Sequence, residues 1–359
     1  MNFQQLRYVR AAVNNDLNLT KVANQVFTSQ SGVSKQIKEL EAQLNIEIFV
    51  RRGKRLTSLT EAGRAAVEVI ERLLQEADNL RKISDQFAKA DQGRLTIATT
   101  HNQANYVLPQ VLLQFSRDFP HVEVQLRQSA ASDILETLLR GEADIGIATE
   151  AMDGHPELCT VPCFSWGHVV VVPPHHPLAG RTDLTLADLA AYPIITYAEG
   201  YTGRANIDAS FAAAGIEPDI RLTAADADVI KTYVRLGMGI GIVAEMAVRA
   251  GGDPTLAVLA GSDQLFTPCI TKLAFPTGSL LRNYIYRLIE KIAPHMDEKA
   301  LRNAAKGVLP ETLAPLLAYR DRTDLYPASP AALALLKTPG VLEKPSLPEK
   351  PSLPEKEAA

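Results

Sequence analysis

Residues 19–40, LTKVANQVFTSQSGVSKQIKEL, constrain this chain more than any other stretch. The pattern predicts two short helices joined by a tight turn at Phe27-Thr28-Ser29. Thr20 is placed to cap the first helix, whose apolar side carries Val22, Ala23 and Val26. The second repeats its apolar side at Val33, Ile37 and Leu40, and turns Gln30, Ser31, Ser34, Lys35 and Lys38 the other way. Amides and hydroxyls suit base edges, and lysines suit phosphates, so this face fits a DNA major groove. An ordinary helical pair with a solvated face satisfies the same pattern. The flanks favour the DNA reading. Upstream, Phe3, Leu6, Val9 and Val13 form the stripe of a helix that can close a three-helix core. Downstream, Phe49 to Thr57 places Arg51, Arg52, Lys54 and Arg55 around Gly53, as in a two-stranded wing whose tip approaches phosphates.

Charge is divided along the chain in the same sense. Residues 1–60 hold nine Lys plus Arg against four Asp plus Glu, or +5, while the whole chain is −4. The remainder is therefore −9, which confines DNA contact to the N-terminal segment. At 359 residues two or three domains are expected. No apolar N-terminal leader or membrane-length run is seen, so a cytoplasmic location without membrane partners is expected. Cys159, Cys163 and Cys269 fit reduced thiols, and no metal or resident cofactor is expected.

After a first domain of residues 1–59, residues 60–92 read as a linker helix and hinge. Ala62, Ala66, Val69, Leu73, Ala77, Leu80, Ile83 and Phe87 make a narrow apolar stripe on an otherwise charged helix, which suits a two-helix seam between subunits. Packing against the chain's own globular part is the alternative. Residues 93–296 then alternate strand and helix, with strands expected at 95–98, 122–126, 145–148, 169–172, 194–196 and 240–243. Crossovers near 162–166 and 266–270 divide this α/β region into lobe I, about 93–162 with 268–296, and lobe II, about 163–267. Residues 297–359 form an extension that ends in an EKPSLP repeat, a composition that cannot make a packed core.

Taken together, the first 295 or so residues resemble the LysR-type transcriptional regulators, most closely in Thr28-Ser29-Gln30-Ser31-Gly32-Val33-Ser34-Lys35-Gln36-Ile37. The resemblance implies an N-terminal winged helix-turn-helix, a long linker helix and a bilobed, periplasmic-binding-protein-like effector domain. It implies DNA contact at Thr28 as well as the residues above, assembly as a homodimer or homotetramer, and contact with RNA polymerase at promoter DNA. Four segments narrow the resemblance to the CysB-like regulators of sulfur assimilation and cysteine synthesis. They are Ala98 to Ala104, Ile147 to Glu150, Thr196-Tyr197 with Gly200 to Arg204, and Ala225 to Gly237.

Thr99 to Gln103 follow a predicted strand at a predicted helix start, where exposed amides favour an anion; simple capping by the threonines is the alternative. Thr149 ends another strand, and Thr202 lies in a Gly-flanked loop. In CysB-like proteins the positions matching Thr100, Gln103, Thr149, Trp166 and Thr202 line an anion pocket, and Asn102 can donate beside them. Sulfate, thiosulfate or an acylated serine is the expected effector. Three departures from the CysB pattern bear on this: Asn102 for threonine, Asn105 for arginine and Glu199 for an aromatic. The last two make the neighbourhood less welcoming to a dianion. Control of alkanesulfonate or other organosulfur use is the alternative within regulators. An enzyme ranks lower because no nucleophile elbow, phosphate loop or metal-spaced His/Glu pair is present, and a solute-binding protein because of the basic N-terminal reader and the lack of a signal-peptide pattern. Asp226 and Asp228 beside Lys231 read more economically as a helix cap and a surface pair.

Overall fold

The computed structural model describes residues 1–53, 55–88, 92–150, 152–249, 253–306, 308 and 315–325. Its N-terminal unit packs α1 (Phe3–Asn14), α2 (Leu19–Gln25) and α3 (Gln30–Leu44) around Leu6, Val9, Val22, Val33, Ile37 and Leu40. Two sequence expectations shift. Asn18, rather than Thr20, caps α2, its side chain accepting from the amides of Thr20 and Lys21. In α1, Phe3 is exposed and Val13 is only partly buried; Tyr8 and Ala12 fill the core beside Leu6 and Val9. The wing pairs β1 (Phe49–Arg52) antiparallel with β2 (Arg55–Leu59). Gly53 takes the left-handed turn between them at φ +63°.

The linker helix α4 (Glu61–Ala88) leaves the wing through a close contact: a Cβ at Gly63 would lie 2.0 Å from the Ile48 carbonyl oxygen. Ile70 and Leu74 bury against the N-terminal unit, whereas Val69, Leu73, Leu80 and Ile83 stay exposed on this single chain. Farther along α4, Asn79 donates to the Gly278 carbonyl and accepts from the Leu280 amide. That side chain fixes the helix to the following domain.

The following domain holds two five-stranded sheets. Lobe I comprises β3 (Gln92–Thr99), α5 (His101–Tyr106), α6 (Leu108–Asp118), β4 (His121–Gln128), α7 (Ala131–Leu139), β5 (Ile145–Ala148) and β6 (Leu158–Trp166). Lobe II follows with β7 (His168–Val172), α8 (Leu186–Ala190), β8 (Ile194–Tyr197), α9 (Arg204–Ala213), β9 (Ile220–Ala224), α10 (Ala227–Arg235), β10 (Ile240–Ala244), α11 (Met246–Arg249) and β11 (Ala257–Val258). The chain then returns to lobe I through β12 (Cys269–Pro276) and α12 (Asn283–Ile292). The sheet orders are β4-β3-β5-β12-β6 and β11-β7-β10-β8-β9. Strands β3, β4 and β5 are parallel, as are β8, β9 and β10; β12 pairs antiparallel with both β5 and β6, and β7 pairs antiparallel with both β10 and β11.

All six expected strands are present, but the stretches taken as crossovers are largely strand. β6 runs on to Trp166 against β12, so the chain changes lobe at Gly167, beyond the expected 162/163 boundary. In the extension, α13 (Glu298–Ala305) is followed by a docked segment, residues 315–325. Its Leu317 carbonyl accepts from Ser165, and its buried Tyr319 donates to the Tyr106 carbonyl at the end of α5. The EKPSLP repeat lies outside the described residues, as does Asp91 of the expected hinge.

Candidate DNA interface and inter-lobe effector site

Ser29 caps α3 by accepting the Gly32 amide, and its hydroxyl also lies 3.1 Å from the Ser31 hydroxyl. The cap orders the first turn that carries the expected reading residues. Thr28, Gln30, Ser31, Lys35 and Lys38 are exposed and Ser34 is half-buried, while Val33, Ile37 and Leu40 are fully enclosed. Gln30, Ser31, Ser34, Lys35 and Lys38 share one hollow of about 640 Å³ with Arg51 and Gly53 of the wing. A concave surface with amides, hydroxyls and ammonium groups on one wall and a basic wing on the other matches the donors that DNA reading requires.

The basic wing residues differ in availability. Arg52 is exposed, and Arg55, its cross-strand partner, is also exposed. Arg51 instead donates to Glu41 Oε2 at 2.7 Å, while Glu41 Oε1 accepts the amides of Ile48 and Phe49. Arg51 therefore secures the wing root to α3. Arg55, which lines a second hollow with Gln30, is the better-placed cation and stood in the basic run without being singled out. Lys54 lies outside the described residues.

The second site is built where the lobes meet. Thr100 occupies the N-cap position of α5, yet its buried hydroxyl makes no cap hydrogen bond. Capping therefore does not account for it. Thr99 turns inward to the Ile147 carbonyl at 3.0 Å. Asn102 reaches across to the Tyr197 hydroxyl of lobe II at 3.0 Å, and Gln103 reaches the Thr271 hydroxyl on β12 at 2.9 Å. Thr149 is half-buried just beyond β5. Thr202 is buried at φ +45°, a left-handed conformation that a β-branched residue rarely adopts, and its carbonyl faces His168 Nε2 at 2.9 Å. Trp166 stacks edge-on to His168 with ring centroids 5.0 Å apart. Within this neighbourhood the contacts involve Asn102, Gln103, Trp166 and Thr202, whereas no side-chain hydrogen bond among the described residues ties Thr100 or Thr149 to them.

That neighbourhood is short of hydrogen-bond partners. Asn102 Oδ1, Gln103 Oε1, Glu150 Oε2, Trp166 Nε1 and His168 Nδ1 are all buried without a partner. Each such atom costs about 1–3 kcal/mol when left unmatched, so these five groups call for partners from water or a ligand. Burial lowers the His168 pKa to about 4, so the ring is neutral near pH 7. Glu150, His168, Tyr197 and Thr271 are not among the expected site residues; Glu150, next to Thr149, and Tyr197 both lie in segments that carry the CysB-like resemblance.

Of the departures from the CysB pattern, Asn105 lies 2.8 Å from His101 Nε2 and donates to Asp228, while Glu199 is exposed in the loop before Thr202. Asp226 caps α10 through the Val229 amide, and Asp228 pairs with Lys231 at 2.9 Å, the cap and surface pair expected of them. The three cysteines are free and buried. No helix among the described residues is long and apolar enough to cross a membrane.

Comparison with known proteins places these two sites within matched regions. Residues 3–64 match the family described as bacterial regulatory helix-turn-helix protein, lysR family, and residues 88–297 match the LysR substrate binding domain. The HTH-type transcriptional regulator SsuR of Burkholderia cenocepacia is 56% identical over 298 residues, covering 83% of this chain and 96% of the relative. The regulator CysB of the same organism is 46% identical over 307 residues, covering 86% and 98%. Among solved structures, the cofactor-binding domain of the Cbl transcriptional regulator is 42% identical with a TM-score of 0.58, covering 60% of this chain and 95% of that domain.

Proposed function

Because the chain belongs to the LysR family of transcriptional regulators, we propose that it governs sulfur-assimilation and cysteine-biosynthesis genes in answer to a small sulfur-pathway effector held between its lobes. LysR regulators bind DNA and act as oligomers; they are not enzymes. The observation that carries the DNA reading is the shared hollow in which the polar face of α3 meets the wing. Ser31, Ser34 and Lys35 read bases, Gln30 sits at the groove edge, and Arg52 and Arg55 approach phosphates.

The exposed stripe Val69, Leu73, Leu80 and Ile83 pairs α4 with a second copy and sets two reading heads on successive groove faces. RNA polymerase is the partner through which binding becomes activation. Thr100, Asn102, Gln103, Thr149, Trp166 and Thr202 hold the effector. The unpartnered buried atoms support that assignment. Effector binding that favours one lobe arrangement biases the angle between reading heads through α4, which Asn79 ties to lobe I.

Mapping binding sites across the genome in cells grown with and without sulfate tests this. Sites upstream of sulfur-assimilation and cysteine genes, with occupancy or output changing with sulfate, are expected. Sites confined to unrelated genes would overturn the sulfur assignment. A second reading, control of alkanesulfonate or other organosulfur use, is favoured by Asn105 and Glu199, which replace a cation and an aromatic by a neutral amide and a carboxylate. Sites only beside organosulfur genes would select it.

A further inference from the structure

Glu150 adjoins Thr149 in sequence and bonds, across the lobes, the residue that follows Thr202. It follows Thr149 beyond β5, and its Oε1 accepts the amide of Gly203, the neighbour of Thr202. Gly203 sits at φ +70°, and a Cβ there would lie 2.4 Å from Cys269 Sγ and 2.7 Å from His168 Cε1. Only glycine brings this amide to Glu150 without displacing its neighbours. The second carboxylate oxygen, Oε2, is buried and meets no donor. A buried ionised oxygen is a more expensive orphan than a neutral one.

No cation among the described residues bonds it: Lys272, which acts on Glu150 through its charge, pairs with Asp153, and Arg204, next to Gly203, pairs with Asp208 at 2.7 Å. Glu199 in the Thr202 loop, and Asp226 and Asp228 facing His101, add further negative charge. Burial raises the Glu150 pKa, while the Gly203 amide and Lys272 act the other way, and an arriving ammonium would favour the charged form.

The hydrogen-bond inventory constrains the ligand further. The Thr202 carbonyl can only accept, so His168 Nε2 carries the proton and Nδ1 is an acceptor without a donor. Trp166 Nε1 can only donate. Asn102 can turn its amide: the Tyr197 oxygen already accepts from Ala244, leaving its O–H to donate to Oδ1 and freeing Nδ2. Gln103 can turn likewise against the Thr271 hydroxyl. The site thus offers fixed acceptors, Glu150 Oε2 and His168 Nδ1, together with a fixed donor, Trp166 Nε1. Sulfate and thiosulfate dianions carry acceptors alone and leave Glu150 unmatched beside added negative charge.

We propose that Glu150 selects a zwitterionic effector, a small molecule with an ammonium group beside a carboxylate or sulfonate. Its ammonium bonds Glu150 Oε2, and its anionic end takes Trp166 Nε1, the Thr100 hydroxyl and the turned amides. This rests on the inter-lobe effector reading above.

Calorimetry on the full-length protein tests it with two pairs of probes in which only the first member carries an ammonium. The pairs are taurine with ethanesulfonate, and O-acetylserine with N-acetylserine; sulfate is run beside them. The ammonium-bearing member of at least one pair should bind roughly 10- to 100-fold tighter than its mate, the range a charge-assisted hydrogen bond supplies. Glu150→Gln keeps an oxygen for the Gly203 amide and should bring the pair to near equality. Sulfate, ethanesulfonate or N-acetylserine binding as tightly as any zwitterion in the unaltered protein would overturn the proposal and leave the effector site standing. An undiminished preference in Glu150→Gln would overturn Glu150's role. No binding of any of the five would overturn the inter-lobe site reading together with the proposal.

Discussion

The reading head and the inter-lobe site present polar groups in opposite ways. On α3 the polar groups stand in water over a complete apolar core, and Arg51 and Glu41 satisfy one another beneath them. Between the lobes, Asn102, Gln103, Trp166 and His168 are enclosed and incompletely bonded. A partner of the first site exchanges water for new contacts on a surface that is already stable. A partner of the second completes an interior. Salt and base sequence should therefore control the first, whereas hydrogen-bond matching should control the second.

The largest expected effect tests whether two heads act together. Aspartate at both Leu73 and Leu80 puts charges into the exposed stripe and should give monomers in light scattering. Loss of the second head should weaken operator binding by about 100-fold or more. An intact oligomer would place the stripe against something other than a partner's α4, and the comparison would then concern single heads.

The next effect belongs to the enclosed site. His168 titrates at about 4 in the folded protein, below its usual 6.5. Between those values the unfolded chain binds the extra proton, so stability is full above about pH 6.5 and is lost as pH falls towards 4. This group alone should cost about 3 kcal/mol by pH 4. His168→Gln should flatten that part of the profile. Urea melts followed by fluorescence of Trp166, the single tryptophan, report directly on the neighbourhood. An unchanged pH profile would show that burial is not what holds the ring neutral.

Smaller effects separate the two walls of the reading head. Ser34→Ala should cost about 1–3 kcal/mol on the preferred operator and relax selectivity at one base position. Arg52→Ala should weaken all sequences alike and reduce the salt slope by about 1. Sequence-selective loss on changing Arg52 would move the wing from phosphates to bases.

The two regions also differ in how much of them could be read from the chain. The helices of the reading head, the linker and the six expected strands announce themselves through period and apolarity, because the face or run each one buries is written in its own residues. Thr20 has the chemistry of a cap, but Asn18, two positions earlier, has it too and accepts the amides of Thr20 and Lys21. The β6 and β12 stretches hide as strands because Pro162, Ser165 and Thr271 interrupt the alternation, and their pairing carries a register shift. Arg51 was legible as a charge, but its partner Glu41 lies on another element. In the proposed effector site the donors nearest strand ends are visible in the sequence, but their partners are not. Asn102 meets Tyr197 from 95 residues away, and Gln103 meets Thr271 from 168. Nothing local records such meetings.

Whether the enclosed site governs the exposed one is open to a single direct measurement. Fluorescence anisotropy of the full-length protein on an operator from its genomic binding map, titrated with the sulfur metabolite that binds it, reports the coupling. The metabolite should shift operator affinity by about 5- to 150-fold in the unaltered protein. In Thr100→Ala, the shift should require a higher ligand concentration, with ligand-free affinity near normal. Operator affinity that ignores a bound metabolite, or a Thr100→Ala response identical to that of the unaltered protein, would contradict the account.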